Sequence, residues 1–249
     1  YFFALAHVAA LLLARSQRWF RFSLVSFCIG VVLHVVSVVE EAHLIGQLPA
    51  NNFWESVSLL GLLAAIAFLL VYWRYKFESL SIIIFPLVLV ATLTGALGSP
   101  SAVETGRNLR DAWLLLHVVL VLLGYSALLL TAAASIVYLV HEWQLKQKRP
   151  HALTRRLPPL LATDSLIYYA MAWGFVFITL GVISGSTWAY MESGTAWITD
   201  GKIAISFITW LAYLAIFHWQ AFKQRWRGIA MFLVMFASVA APLVIYLQS

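Results

Sequence analysis

Apolar stretches of membrane-spanning length recur along the chain, each closed off by a short polar or charged cluster. A helix needs about 20 mainly apolar residues to cross the hydrocarbon core of a bilayer. By that measure the pattern predicts about eight spans: Tyr1–Ala14, Phe22–Val39, Ser56–Trp73, Ser79–Leu97, Ala112–Val140, Ser165–Tyr190, Lys202–Phe222 and Gly228–Leu247. Ala112–Val140 and Ser165–Tyr190 are long, so they are expected to tilt or to extend into solvent. No small-residue cleavage site follows the first stretch, which is therefore expected to stay as a span rather than be removed as a signal peptide. Such a chain is all-α, a polytopic membrane helical bundle taken as one domain over residues 1–249.

Composition agrees and adds an orientation. Hydrophobic residues make up 63% of the chain and charged residues only 10%, against roughly 25% charged in an ordinary soluble domain. Mean hydropathy is +0.89. The formal charge of +6 sits in short clusters between the apolar runs, which marks topology rather than a nucleic-acid surface. Basic residues gather in alternate loops: Arg15, Arg18 and Arg21; Arg74 and Lys76; Lys146, Lys148, Arg149, Arg155 and Arg156; Lys223, Arg225 and Arg227. The loops between them carry Glu40, Glu41, Glu55, Glu104, Asp111, Glu192 and Asp200, with Arg107, Arg110 and Lys202 as their only bases. Positive loops stay in the cytoplasm, so both termini are expected on the non-cytoplasmic side. Cys28 is the only cysteine, which excludes an internal disulfide, a thiolate metal site and covalent haem attachment.

Ionisable side chains inside spans are rare and point to function. Four histidines qualify: His7, His34, His117 and His218. His34 and His117 each stand about five residues inside an expected outer helix end, at a matching depth of roughly 8 Å. His218 lies near the cytoplasmic end of its span and His7 near the middle of the first. His117 shares a helix stripe with Trp113, Gly124, Thr131 and Ser135, and His34 with Gly30, Ser37 and Glu41. Such stripes face a bundle interior. There each histidine either hydrogen-bonds a neighbouring helix or offers a neutral imidazole nitrogen to a metal or a haem iron. For His7 the hydrogen-bonding role is the expected one. Without carboxylates among the histidines, a zinc hydrolase site has little support.

The sixth span lines up Gly174, Gly181, Gly185 and Trp188, with a G-x-x-x-G at Gly181 and Gly185. Close helix packing accounts for that stripe, and the same stripe would give a planar cofactor a flat wall. Trp73 and Trp143 fit the interfacial belt. In the outer loop over residues 188–202, Asp200 is placed to cap the next helix. Trp188, Trp197 and Trp210 bracket a hinge of Gly194 and Gly201, an aromatic shelf able to stack on a large planar ligand.

The order of these features resembles the cytochrome c assembly superfamily of haem-handling membrane proteins, the WWD-domain proteins, and within it the CcsA/ResC branch and its HemX-like relatives. That family has an outer loop W-A-x-E-x-W-G-x-x-W-x-W-D-P-K, then a helix with I-T-W and a histidine. Here stand Trp188, Ala189, Gly194, Trp197, Asp200 and Lys202, then Ile208-Thr209-Trp210 and His218. Gly174-Phe175, Gly181 and Ser184-Gly185 resemble the approach to that loop, and Asp164 with Tyr168 its L-D-x-x-x-Y entry. Leu116-His117-Val118 with Gly124-Tyr125 is similar to an L-H-V…S-Y helix. Gly46-Gln47-Leu48-Pro49 through Asn52-Phe53-Trp54-Glu55-Ser56 is similar to G-H-x-P-x-x-N-x-Y-E-S, and Arg225-Trp226-Arg227-Gly228 to the basic W-R-G turn. The likeness runs from about Gly46 to Gly228. The chain departs from the pattern at Ser193, Thr199 and Ile205, where the family has tryptophans, and at Gly201, where it has proline.

The resemblance implies a haem-handling protein of a bacterial inner (plasma) membrane, with its tryptophan loop on the periplasmic or extracellular side. His117 takes the place of an outer haem ligand and His218 that of an intramembrane one. Trp188, Trp197, Asp200 and Trp210 would form the surface that presents haem to apocytochrome c. The family's second outer histidine, which follows its last span, has no counterpart before Ser249, and His34 is the expected substitute. The cargo would be haem b, held non-covalently. No catalytic residue is assigned, and the chain would at most be a component of a cytochrome c haem lyase, beside a CcsB-like membrane partner. A HemX-like regulatory or structural subunit that kept the fold but lost haem transfer is the alternative. A small-solute transporter has less support, since neither inverted repeats nor a buried acidic relay is evident.

Overall fold

The computed structural model describes residues 1–2, 17–50, 52–98, 109–147, 159–194, 201–218, 229, 230 and 233. Their regular structure is helical throughout: α1 (Gln17–Ile45), α2 (Phe53–Tyr75), a 3₁₀ turn (Glu78–Leu80), α3 (Ser81–Ala96), α4 (Leu109–Lys146), α5 (Leu160–Ser193) and α6 (Gly201–His218). Five segments are long and apolar enough to cross a membrane: Phe20–Ile45, Phe53–Tyr75, Glu78–Ala96, Ala112–Lys146 and Leu160–Glu192. Ile203–His218 is a shorter apolar helix. These six correspond to the second through seventh expected spans. The first and last expected spans, with His7, fall almost wholly outside the described residues.

Helices α1, α2, α4 and α5 outrun their expected spans at both ends. An apolar count marks the hydrocarbon, whereas the backbone ladder continues until a cap stops it. Asn52 stops α2 at its start: extended at φ −128°, it accepts the Glu55 amide N–H at 2.8 Å. Its own side-chain amide donates back to Glu55 Oε1 at 3.0 Å. Lys76 ends the helix in the left-handed conformation at φ 56°, its N–H donating to the Tyr72 carbonyl at 2.9 Å. Beyond the apolar part of α4, Glu142 and Lys146 pair at 2.9 Å one turn apart, which supports helix in the polar stretch.

The described residues form two compact units. The first holds Tyr1, α1, α2, the 3₁₀ turn, α3, α4 from Val137 onward and α5 up to Thr163. The second holds α4 up to Ile136, α5 from Asp164 and α6.

In the first unit α1 shows the inverse of a soluble helix. Phe22, Val25, Ile29, Val32, Val36 and Val39 recur at helical spacing and are each more than half exposed, an apolar stripe suited to lipid. The opposite face, Phe20, Ser23, Phe27, Val31 and His34, is buried. Its centre is an aromatic cluster: Phe27 stacks on Phe85 at 4.0 Å, and Phe68 meets Phe85 edge-on at 5.4 Å. Lipid tails are as apolar as these rings, so van der Waals fit rather than expulsion from water holds the helices together. That fit is tight between α2 and α3, where a Cβ added at Gly95 would stand 2.5 Å from Ser58 Cβ.

The second unit packs around Leu128, Met171, Ile178 and Tyr213, with Phe175, Trp210 and Phe217 against them. Gly124 lets α4 approach α5, since a Cβ there would stand 2.6 Å from Ile178 Cγ1. Tyr213, 1% exposed, donates its hydroxyl to the Met171 carbonyl and so fastens α6 to α5.

Candidate functional site

In the second unit His117 projects from α4 onto the glycine stripe of α5. Its Nδ1 lies 2.7 Å from the Gly181 carbonyl. A carbonyl can only accept, so the proton is on Nδ1 and the Nε2 lone pair is left to face another partner. Ser184 donates to the same carbonyl at 3.0 Å. The ring lies flat enough against α5 that a Cβ at Gly185 would stand 2.5 Å from Nδ1. The G-x-x-x-G thus has two separate tasks: Gly181 supplies the acceptor and Gly185 supplies the room. A histidine whose N–H is fixed by a backbone carbonyl, with its other nitrogen open, is how proteins hold a metal-ligating imidazole in orientation. Half-buried Trp188 follows on α5 within a turn of Gly185.

The same unit fixes where His218 stands. Going along α5, Tyr213 of α6 bonds at Met171 and Trp210 donates its indole N–H to Thr179 Oγ1 at 3.0 Å. Phe217 stacks on Tyr168 and on Phe175 at 6.0 and 5.8 Å, and His218 meets Phe217 edge-on at 5.1 Å. His218 is therefore near the level of Tyr168, while His117 is level with Gly181. Thirteen residues of helix separate those levels, roughly 20 Å at 1.5 Å per residue. The two histidines cannot ligate one iron and mark two separate positions. His218 Nδ1 donates to the Leu214 carbonyl one turn back at 3.1 Å, so its Nε2 is likewise the nitrogen left open. Trp210 stacks on Phe175 at 6.1 Å, which makes it part of the packing between α5 and α6.

His34 belongs to the first unit and is 7% exposed. Both of its ring nitrogens have partners: Nε2 with Ser58 Oγ at 3.0 Å and Nδ1 with the Tyr1 hydroxyl at 3.2 Å. It lines a cavity of about 370 Å³ with Ser37, Glu41, Trp54, Glu55, Ser58 and Thr92 among its neighbours. The sequence places Glu41 on the His34 stripe and Glu55 in a family-like segment, without joining the two in one cavity. The Asn-x-x-Glu spacing of a capping box was the signal that could have marked Glu55 as structured. Trp197 and Asp200 lie outside the described residues, and the expected pairing of His34 with His117 joins residues of different units.

Among the described residues no group of three or more His, Cys, Asp or Glu could hold a bare metal ion. An iron carried in a porphyrin asks the chain only for axial ligands, and His117 and His218 each offer one nitrogen in a fixed orientation. Among the described residues this donor set is compatible with a haem iron and does not make up a cluster for a bare metal ion.

Comparison with known proteins bears on these residues together. Residues 50–249 match the family model of the cytochrome c assembly protein. A cytochrome c biogenesis protein CcsA of Heterosigma akashiwo is 27% identical over 215 residues, covering 72% of this chain and 66% of the relative. CcsA of Prochlorococcus marinus strain MIT 9301 is 28% identical over 251 residues, covering 89% and 81%. For strain MIT 9215 the figures are 29% over 206 residues, 74% and 66%. Against the first and third the chain spans just under two thirds of the relative's length. The family match takes in α2 through α6, with His117, the glycines of α5 and His218 inside it, and this multi-pass membrane chain belongs to the cytochrome c assembly protein family.

Proposed function

We propose that this chain handles haem in cytochrome c biogenesis, the process that names its CcsA relatives. His117 would hold it at an outer position and His218 at a second position nearer the cytoplasm. The observation that carries the reading is the His117 Nδ1–Gly181 carbonyl bond at 2.7 Å. A histidine serving only to tie two helices together needs no orientation for its second nitrogen, whereas a ligand does. Haem, bound non-covalently as cargo, would supply the iron that these nitrogens meet. The chain's residues would orient it, with the His117 ring seated against Gly185 and Trp188 within a turn further along α5.

The membrane arrangement in this proposal is about eight spans, both termini non-cytoplasmic, in a bacterial plasma membrane, with the loop over residues 188–202 outside. Basic residues concentrated in alternate loops support it. The recipient is an apocytochrome c, whose thiols another protein must keep reduced, since Cys28 is this chain's only thiol. A CcsB-like membrane protein is the partner expected beside it.

The test is a visible spectrum of the detergent-purified chain. The wild type shows a Soret band, the His117→Ala variant loses the outer-site part of it, and added imidazole restores that part. A colourless wild type from cells supplied with haem would instead favour the regulatory or structural HemX-like role, which the departures at Ser193, Thr199 and Ile205 would then explain.

A further inference from the structure

At one end of the first unit the start of α1 meets the end of α2, where Phe20 and Tyr72 stand ring to ring at 5.6 Å. Three bases gather around this junction. Lys76 Nζ lies over the Tyr72 ring, 5.1 Å from its centroid, and Arg74 Cζ lies over Tyr75 at 5.3 Å. Arg21 of α1 acts electrostatically on the same Tyr72, and so does Glu78 of the 3₁₀ turn. Among the described residues none of the three bases is in an ion pair or donates a side-chain hydrogen bond. Three cations against Glu78 leave a positive excess at this end. A base set over a ring face keeps N–H donors for another partner.

The apolar neighbours of these bases decide what that partner is. Trp73, next to Arg74, is 76% exposed, and Phe22, next to Arg21, is 62% exposed. From Phe22 the lipid-facing stripe of α1 continues through Val25 and Ile29. In a multi-pass membrane chain an exposed tryptophan at a helix end sits at headgroup level, and the stripe beyond it meets acyl chains. An occupant must therefore bring an anionic group to the bases and hydrocarbon to the stripe in one molecule. A nucleic acid or an acidic peptide brings only the first. Phosphatidylcholine carries an ammonium that offsets its own phosphate, whereas an anionic phospholipid meets both demands.

We propose that the junction of α1 and α2 is a binding site for an anionic phospholipid, its phosphate held by Arg21, Arg74 and Lys76 and its acyl chains lying along Phe22, Val25 and Ile29. The site stands apart from the residues assigned to haem and holds whether or not His117 ligates iron. Titration of the detergent-purified full chain with dioleoylphosphatidylglycerol, followed by native mass spectrometry, tests it. One lipid is expected to bind saturably, about fivefold more weakly in Arg74→Gln and about fivefold more weakly again when Lys76→Gln is added. Dioleoylphosphatidylcholine should bind about tenfold more weakly than the anionic lipid. Inorganic phosphate should not displace the lipid, having no chains to lie along the stripe. Lys146→Gln removes a base already paired with Glu142 at 2.9 Å and should leave binding unchanged, which separates a local site from the general attraction of a basic chain. All titrations are run below the thermal midpoint of each variant, so that lost binding is not lost folding. The proposal is overturned by equal binding of phosphatidylcholine, by displacement with inorganic phosphate, by binding that the double variant leaves intact, or by an equal loss in Lys146→Gln.

Discussion

His34 and His117 are both imidazoles on apolar helices, and their surroundings set them to different work. In the first unit His34 is buried between two hydroxyls, each able to donate or accept, so its proton can sit on either nitrogen and neither is left over. In the second unit His117 meets a carbonyl, which fixes the proton on Nδ1 and leaves Nε2 open. The difference lies in the facing helix. Ser58 of α2 offers a hydroxyl, whereas the glycines of α5 expose backbone. A histidine in a span is therefore a ligand candidate only when its partner is one-sided.

The largest effect expected on this contrast comes from the core of the first unit. Phe85 is 1% exposed, between Phe27 and Phe68. Phe85→Ala should cost about 3 kcal/mol, in the range found for emptying a buried aromatic site, and lower the thermal midpoint. Below that midpoint the visible spectrum should be unchanged, since every contact described for His117 lies in the second unit. A spectrum altered at room temperature would show that the two environments are not separable.

Gly185→Ala breaks the contrast from the other side. The new methyl would stand 2.5 Å from His117 Nδ1, and a packed helix pair yields to such an insertion at about 1–3 kcal/mol. Haem retention is expected to fall about tenfold, with His117 itself still present. Imidazole should not restore it, because the ring already there blocks the space. Retention equal to wild type would mean that the Gly185 face does not position the ring.

A smaller effect is expected at Asn52, whose side chain accepts the Glu55 amide and donates to the Glu55 carboxylate. Asn52→Ala should destabilise the chain by about 1 kcal/mol, as N-cap removal does. Haem retention should not move.

Much of this was legible in the sequence, and the failures share a cause. Apolar length gave six described helices in the right order, because the cost of burying backbone polar groups in lipid leaves helices as the only economical solution for such runs. Helix ends were underestimated, as at Asn52 and Lys76, because caps are made by polar residues that a hydropathy count rejects. The faces of α1 were illegible: Val32 toward lipid and Val31 toward the core are the same residue type. His117 and the stripe of Gly181 and Gly185 could be singled out, yet their contact could not, since the acceptor is a backbone carbonyl 64 positions away. The cavity escaped notice for a related reason: Glu41, Glu55 and Thr92 come from three helices, and no local spacing joins them.

The smallest effect is the most telling. His34→Gln keeps a side chain able to hydrogen-bond Ser58 and removes the imidazole. If His34 serves the first unit alone, the position and intensity of the Soret band stay as in the wild type, while the loss of the Tyr1 hydrogen bond costs about 1 kcal/mol and lowers the midpoint. The expectation drawn from depth in the membrane was the opposite, that His34 completes the coordination at His117. Ligating an iron would require His34 to release either Ser58 or Tyr1 and leave a hydroxyl in the cavity with a partner fewer. A shifted Soret band in His34→Gln, with the midpoint unchanged, would show that this release takes place and would return His34 to the ligand set. Spectrum and midpoint respond to different roles of the same ring, so measuring both on one variant decides between them.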